Sequence, residues 1–375
     1  MALHIRTVDD RKDLKTFVTY PFKLYKGCPQ WVPPLIRDEM ATFDPAENPV
    51  YESAESRLFL AVRGNEVVGR IAAILSHAAN QKYKTRNVRF GWLDLIEDYA
   101  VAEALFSAVR DWAKARGSDT LTGPHGFSNF DRQGMLIQGF EHRGTIHALY
   151  NYPYYPTFAE KYGFEKDVDY IEIKSVAPEN GLIDPRYRKI KERIEKTNKV
   201  HLLRFKTKKE AVTRSREIFS LLNQTYAEIY GVIPLTEKHI DYLTKKFISF
   251  INKDLINIAT NRDGEMIGLL ITMPSLAKGF QRARGRLLPF GWYHIMRRLK
   301  RNDKLDLLLI AARPEHQKRG VPILMLADLA QRVVDMGYRS SESAPMLENN
   351  QIVHSLHKYF DSVVHKRRRI FKLAL

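Results

Sequence analysis

The sequence predicts an α/β protein made of two copies of one unit. Three observations predict it. A β-hairpin pattern occurs once in each half. A strand-then-helix pattern closed by glycine follows each hairpin, and a short helix and a final strand end each half. Hairpin, strand, helix, strand, helix, strand, read twice, is a duplicated α/β domain.

The elements follow in order. RLFLAVRGNEVVGRIAAIL (Arg57–Leu75) has two strand-like runs around a Gly-Asn turn, the mark of a hairpin. Its counterpart is LINIATNRDGEMIGLLITM (Leu255–Met273), with Asp263-Gly264 at the turn. RFGWLDLIED (Arg89–Asp98) reads as a buried strand that runs into an amphipathic helix, Val101–Gly117. LDLLLIAA (Leu305–Ala312) leads in the same way to Ile323–Gly337. Late helices are expected at Tyr154–Lys166 and Asn349–Asp361, and final strands at Asp169–Lys174 and Arg367–Leu373. The turn-rich segment Ser175–Tyr187 reads as the linker, so the domains are expected over 1–178 and 187–375.

Composition narrows the function. The 375 residues carry a net charge of +17 and a single cysteine, Cys28. One cysteine excludes an internal disulfide and a cysteine-based metal cluster. No metal-ligand spacing is visible, so no metal is expected. The longest apolar run, Leu305–Ala312, is far short of the roughly 20 residues of a spanning helix. The polar start MALHIRTVDD lacks the apolar core of a signal peptide, so a cytoplasmic location is expected. The positive excess fits nucleic acid, an anionic membrane surface, or acidic ligands such as CoA and acidic carrier proteins.

The junction IAARPEHQKRGVPILML (Ile310–Leu326) carries the most chemistry. A strand ends at Arg313-Pro314, a short basic loop follows, and a helix starts. Backbone N–H groups at such a start favour an anion. Gln317, Lys318 and Arg319 add side-chain donors. Gly320 permits close approach, and Pro322 loses no bond in a first turn. The pattern suits a pyrophosphate.

Here the chain resembles the Gcn5-related N-acetyltransferase (GNAT) superfamily. In the family's loop pattern Q/R-x-x-G-x-G/A, Gln317 and Gly320 match and Pro322 replaces the last small residue. The preceding hairpin and the following LENNQIVHSLHKYF also match. The resemblance implies tandem GNAT-like domains, each a mixed, mostly antiparallel sheet flanked by helices, with acyl-CoA as donor substrate. The implied donor site comprises Ile310, Ala312, Arg313, Gln317, Lys318, Arg319, Gly320 and Val321. The first copy departs from the pattern. Its equivalent segment is LIEDYAVAE (Leu95–Glu103), where Glu97 and Asp98 would repel a pyrophosphate. The first copy is therefore expected to serve the acceptor side.

Acyl transfer to nitrogen needs a neutral amine, a proton acceptor and polarisation of the thioester oxygen. His125, in the loop GPHGFS with Asp131 six residues on, is a candidate pair for proton removal. A loop histidine bonded to backbone fits the same residues. Glu348 is a third candidate; the start of the late helix would also favour an acid there. The family's usual tyrosine has no clear equivalent. His357 and Tyr359 both lie near its place. Phe127, Asn151, Tyr154 and Tyr155 are expected to line the acceptor site; tyrosine-proline clusters also pack turns.

The stretch QRARGRLLPFGWYHIMRRLKRNDK (Gln281–Lys304) holds eight Lys or Arg among apolar residues. It lies between the hairpin and the donor strand and is expected to overhang the acyl site. Leu287, Phe290 and Trp292 would dip into a bilayer interface while the cations meet phosphate headgroups. A solvated basic helix packed on the domain fits the same residues. Nucleic acid ranks lower, because no recognised binding motif appears.

The phrases GRLLPFGW, GPHGFSNFDRQGMLIQGF and YNYPYY resemble one branch of the superfamily, similar to the bacterial ceramide synthases. That resemblance implies long-chain N-acylation of a sphingoid base by a protein docked on the inner membrane leaflet. The alternatives left open are a carrier-protein donor, a small amine acceptor, and a non-catalytic lipid- or nucleic-acid-binding protein.

Overall fold

A computed structural model describes residues 2–198, 200–247, 252–350 and 361–375. The chain divides into two units. The first comprises Met1–Ile171, Leu276–Met296 and His365–Leu375; the second comprises Glu172–Ser275 and Arg297–Val364.

The chain begins with β1 (Leu3–Thr7), α1 (Arg11–Leu24), α2 (Ile36–Thr42), β2 (Ala54–Arg63), β3 (Glu66–Ser76) and α3 (His77–Tyr83). Next come β4 (Asn87–Leu95), α4 (Tyr99–Lys114), β5 (Thr120–Gly123), β6 (Met135–Gln138), α5 (Tyr154–Tyr162) and β7 (Glu165–Val176). There follow α6 (Arg186–Asn198), β8 (His201–Leu203), α7 (Lys208–Thr213), α8 (Ser215–Thr225), α9 (Glu237–Phe247), β9 (Ile256–Thr260) and β10 (Met266–Pro274). The rest is α10 (Ala277–Ala283), α11 (Gly291–Lys300), β11 (Lys304–Ala312), α12 (Pro314–Gln317), α13 (Val321–Asp335), β12 (Ser340–Ser343), β13 (Met346–Leu347) and β14 (Asp361–Ala374).

Each unit holds a mixed, mostly antiparallel sheet. In the first, the strand order is β1-β2-β3-β4-β5-β14. In the second it is β7-β12-β11-β10-β9-β8. The parallel pairings within these runs are β4 with β5 and β11 with β12. Both hairpins form where the sequence places them. Arg63 pairs with Glu66 across the Gly64-Asn65 turn. The second turn is held by the Asn261 carbonyl side chain, which accepts from the Asp263 and Glu265 N–H groups.

One feature of the repeat differs from the sequence expectation. The last strand of each sequence copy completes the other unit's sheet. The end of β7, Lys174–Val176, pairs with β12, and the end of β14, Phe371–Ala374, pairs with β5. Strand pairing is set by which sheet edge is open, and alternation along the chain carries no record of that choice.

The same packing device recurs in both units. A Cβ on Gly69 of β3 would lie 2.9 Å from Val101 and Leu105 of α4. A Cβ on Gly268 of β10 would lie 2.8 Å from Val321 and 3.1 Å from Met325 of α13. Glycine lets each central helix settle against its hairpin, with residues one helical turn apart making the contact. The first unit buries Phe90, Leu105 and Phe106 on this side of its sheet. On the other side it buries Phe17, Leu60 and Ile74. The second buries Ile267, Leu270, Leu324 and Met325.

Candidate active site

The second unit holds the predicted donor segment at the end of β11. The Arg313 N–H donates to the Ile267 carbonyl at 2.9 Å, and Gly268 pairs with Ala312 and Leu270 with Ile310. In an antiparallel ladder alternate residues turn their N–H and C=O away from the partner strand. Ile310 and Ala312 are those residues, so they face the flank opposite β10. On that flank β12 pairs with β11 only from Lys304 to Leu307. Beyond Leu307, among the described residues, side chains meet that edge: Tyr226 at the Ile310 carbonyl and Gln317 at the Ala312 carbonyl.

Where a basic loop was expected, residues 314–317 wind into one helical turn, α12, with Pro314 at its first position. Proline's fixed φ suits that place. Gln317 folds back, its Nε2 donating to the Ala312 carbonyl at 2.9 Å. Arg313 pairs with Glu265 at 3.7 Å. Lys318 and Arg319 are exposed. Gly320 caps α13 at φ 82°, where a Cβ would meet Ile194 of α6 at 2.8 Å. Only glycine combines that φ with so close a neighbour. Pro322 has no N–H, and the Leu324 N–H is bonded to the Gly320 carbonyl. The N–H groups of Val321 and Ile323 have no intrahelical acceptor and aim out of the helix start.

The first unit has the same frame, filled by its own side chains. The Ile96 N–H donates to the Val68 carbonyl at 3.1 Å, as Arg313 does to Ile267. Leu95 therefore corresponds to Ala312. Its N–H donates to the Tyr155 hydroxyl at 2.8 Å, and its carbonyl accepts from the Tyr154 hydroxyl at 2.8 Å. The turn before the helix is also shorter. The cap Asp98 follows Ile96 by two positions, whereas Gly320 follows Arg313 by seven. The Asp98 carboxylate accepts from the Ala100 N–H at 2.9 Å and pairs with Arg63 at 2.5 Å. The Arg63 hydrogen bond holds that carboxyl below its usual pKa. An anionic side chain thus sits where a phosphate would need to approach.

A buried polar network stands behind Tyr155. The Tyr25 hydroxyl is 2.8 Å from Asp94 Oδ1 and 3.2 Å from the Tyr155 hydroxyl. Arg70 donates to Asp94 at 2.8 Å and to the Phe17 carbonyl at 2.7 Å. Burial raises the pKa of Asp94 even beside Arg70, and raises those of Tyr25 and Tyr155. Asn151 brackets Leu136, accepting from its N–H and donating to its carbonyl. Asn151, Tyr154 and Tyr155 thus bond to backbone, and Phe127 lies in the core beside Phe43 and Trp92. Sequence reasoning missed Tyr25, Arg70 and Asp94. A signal existed: Arg70 and Asp94 interrupt apolar strands, and a charge on a buried strand requires a partner.

His125 and Asp131 belong to one loop of the first unit, bonded at its start to β4. The His125 N–H donates to the Phe90 carbonyl at 2.7 Å. Asp131 accepts from the Ser128 N–H at 3.0 Å. It also packs where a Gly126 side chain would be, 2.1 Å from that Cβ position. His125 is only 2 % exposed, and burial, then Arg89, holds its pKa well below the usual histidine range. Glu348 is half-buried after β13. His357 and Tyr359 lie outside the described residues.

The basic stretch is divided between the units: Gln281–Met296 belongs to the first and Arg297–Lys304 to the second. Gln281 Nε2 donates to the Pro29 and Trp31 carbonyls, and the Ile36 N–H donates to the Gly285 carbonyl at 2.9 Å. These bonds tie α10 to the segment after α1. Beyond them Leu288 is 76 % exposed, Phe290 69 % and Trp292 51 %, with Leu287, Tyr293 and Met296 also exposed. Arg297, Arg298 and Lys300 form the last turn of α11.

Among the described residues, no helix is long and apolar enough to cross a membrane. No protein-family model matches the chain. The chain is 28% identical over 381 residues to the bacterial ceramide synthase of Caulobacter vibrioides, covering 100% of this chain and 98% of that protein. It is 25% identical over 378 residues to protein YghO of Escherichia coli, covering 98% and 94%. Its fold matches a tandem GNAT protein from the clavulanic acid biosynthesis pathway, with a TM-score of 0.57 and 11% identity, covering 100% and 98%. The chain carries the tandem GNAT fold and resembles bacterial ceramide synthase along its whole length. These likenesses support an acyltransferase enzyme.

Proposed function

We propose that this chain is an N-acyltransferase that moves a long-chain acyl group from acyl-CoA to the amine of a sphingoid base at an anionic membrane surface. One observation carries the donor assignment. Among the described residues, the Leu95 N–H is taken by the Tyr155 hydroxyl, whereas no group meets the equivalent Ala312 N–H; the Ala312 and Ile310 carbonyls accept from Gln317 and Tyr226. The amides of the donor's pantetheine arm would add to that edge as a short strand does. Lys318, Arg319 and the α13 N-terminus favour its pyrophosphate. An N–H on the same flank polarises the thioester carbonyl as negative charge develops there.

The amine must shed a proton before it attacks. His125, Asp131 and Glu348 are the candidates; burial keeps His125 neutral, the form a base needs, but also weakens it as a proton acceptor. Phe127, Asn151, Tyr154 and Tyr155 remain proposed acceptor-side residues, acting through the loop and backbone they hold. The lipid assignment rests on the full-length likeness to a ceramide synthase and on the exposed apolar cluster. Leu287, Phe290 and Trp292 would enter the interfacial layer, and each nearby cation would add about 1 kcal/mol on an anionic leaflet.

The test is mass spectrometry of products from a panel of acyl-CoAs offered with sphingoid bases, amino acids and polyamines. N-acyl sphingoid base is the expected product. Formation of amide with none of the amines would sink the proposal, and amide only with a small amine would move the acceptor assignment.

A further inference from the structure

We infer that Tyr226 gates the acyl-donor site: its hydroxyl occupies the Ile310 carbonyl on the edge of β11 until the donor's arm takes its place. Tyr226 closes the C-terminal end of α8, the helix that packs on β10 and β11. Its hydroxyl donates to the Ile310 carbonyl at 3.1 Å. Ile310 is a residue whose carbonyl faces away from β10, on the flank left by β12. A carbonyl on such an edge needs a donor, since an unsatisfied one costs about 1–3 kcal/mol. In the protein without donor, Tyr226 satisfies it.

The first unit supports this reading independently. There too tyrosine hydroxyls meet the free edge of the central strand, but they come from α5 and lie behind a buried network with Asp94 and Tyr25. Three elements hold that closure. At Ile310 a single phenol at the C-terminal end of α8 makes the contact, so one hydrogen bond is exchanged there. Burial raises the pKa of Tyr226, which keeps it a neutral donor across the working pH range.

Rested on the donor reading above, the inference is an exchange. An arm amide N–H replaces the tyrosine O–H at the Ile310 carbonyl, so part of the donor's binding energy goes into displacing Tyr226. The variant Tyr226→Phe keeps the ring and removes the hydroxyl. It should bind a non-hydrolysable acyl-CoA thioether roughly threefold to tenfold tighter than the parent chain, the size of one net hydrogen bond.

Adenosine 3′,5′-bisphosphate, which has two of the donor's three phosphates but no arm amides, should bind both proteins equally. Calorimetry on the full chain reads both. Equal or weaker thioether binding by the variant overturns the inference. An equal change with the bisphosphate also overturns it, because the effect would not pass through the arm. If Tyr226→Phe does not fold, Tyr226→Met is read by the same criteria. Failure of both assigns the hydroxyl to the core and overturns the inference as well. Absence of thioether binding by the parent chain is a different result: it removes the acyl-CoA reading, and the inference with it.

Discussion

The Tyr155 hydroxyl lies 2.8 Å from the backbone nitrogen of Leu95, on the edge that corresponds to Ala312 in the second unit. That contact makes the two copies unequal. Among the described residues, side chains meet both the N–H and the carbonyl of Leu95, whereas in the second unit they meet only the carbonyls of Ile310 and Ala312.

Donor stoichiometry follows from this inequality. Tyr155 is anchored by Tyr25 and Asp94, and Asp98 places a carboxylate at the helix start of the first unit. Titration calorimetry with an acyl-CoA thioether should give one site per chain. Two sites of similar affinity would contradict the closure of the first unit.

The donor loop should respond to charge. Lys318→Glu combined with Arg319→Glu reverses two exposed cations beside the α13 N-terminus. Donor affinity should fall roughly tenfold to a hundredfold, with the loss smaller at high salt because exposed charges are screened. Unchanged affinity would falsify the phosphate role of this loop.

His125 makes a pH prediction. Its folded pKa is depressed, so the unfolded chain binds a proton that the folded chain refuses. Stability from this residue is intact above the unfolded value of about 6.5 and declines as pH falls below it. Urea unfolding between pH 7.5 and 5 should show that decline, and His125→Gln should flatten it. If His125 is also the base, His125→Gln lowers kcat by at least tenfold, while kcat/KM of the parent chain holds steady below pH 6.5. A parent rate that falls with a midpoint at 6.5 would argue for a different base.

The apolar cluster of the insert predicts surface binding. Phe290→Ser with Trp292→Ser removes two exposed aromatics whose loss costs the core nothing. Flotation with vesicles containing anionic lipid should drop several-fold, with the melting temperature unchanged. Equal flotation of both proteins would leave the cluster without a membrane role.

Much of the candidate site was legible in the chain. Gly320, the basic pair before it and the strand ahead of it are neighbours in sequence, so local pattern reaches them. Gly69 and Gly268 are equally legible, each at the same place in a hairpin motif. Tyr226 was not, because it lies 84 residues from Ile310 and its hydroxyl finds a backbone carbonyl that no side-chain pattern records. The folding back of Gln317 onto Ala312 was hidden for the same reason. The contacts of Tyr154 and Tyr155 with Leu95 were hidden likewise, since they join side chains to backbone about 60 residues away.

By itself the sequence determined the duplicated α/β plan, the hairpins, the central helices and the place of the basic glycine loop. These depend on periodicity and turn chemistry within short windows, which are properties of neighbouring residues. Tertiary structure decided which sheet each last strand completes and which remote side chains meet each central strand. Those outcomes depend on hydrogen-bond partners distant in the chain. The free energy of satisfying a buried N–H or carbonyl is the same whichever remote group supplies the bond.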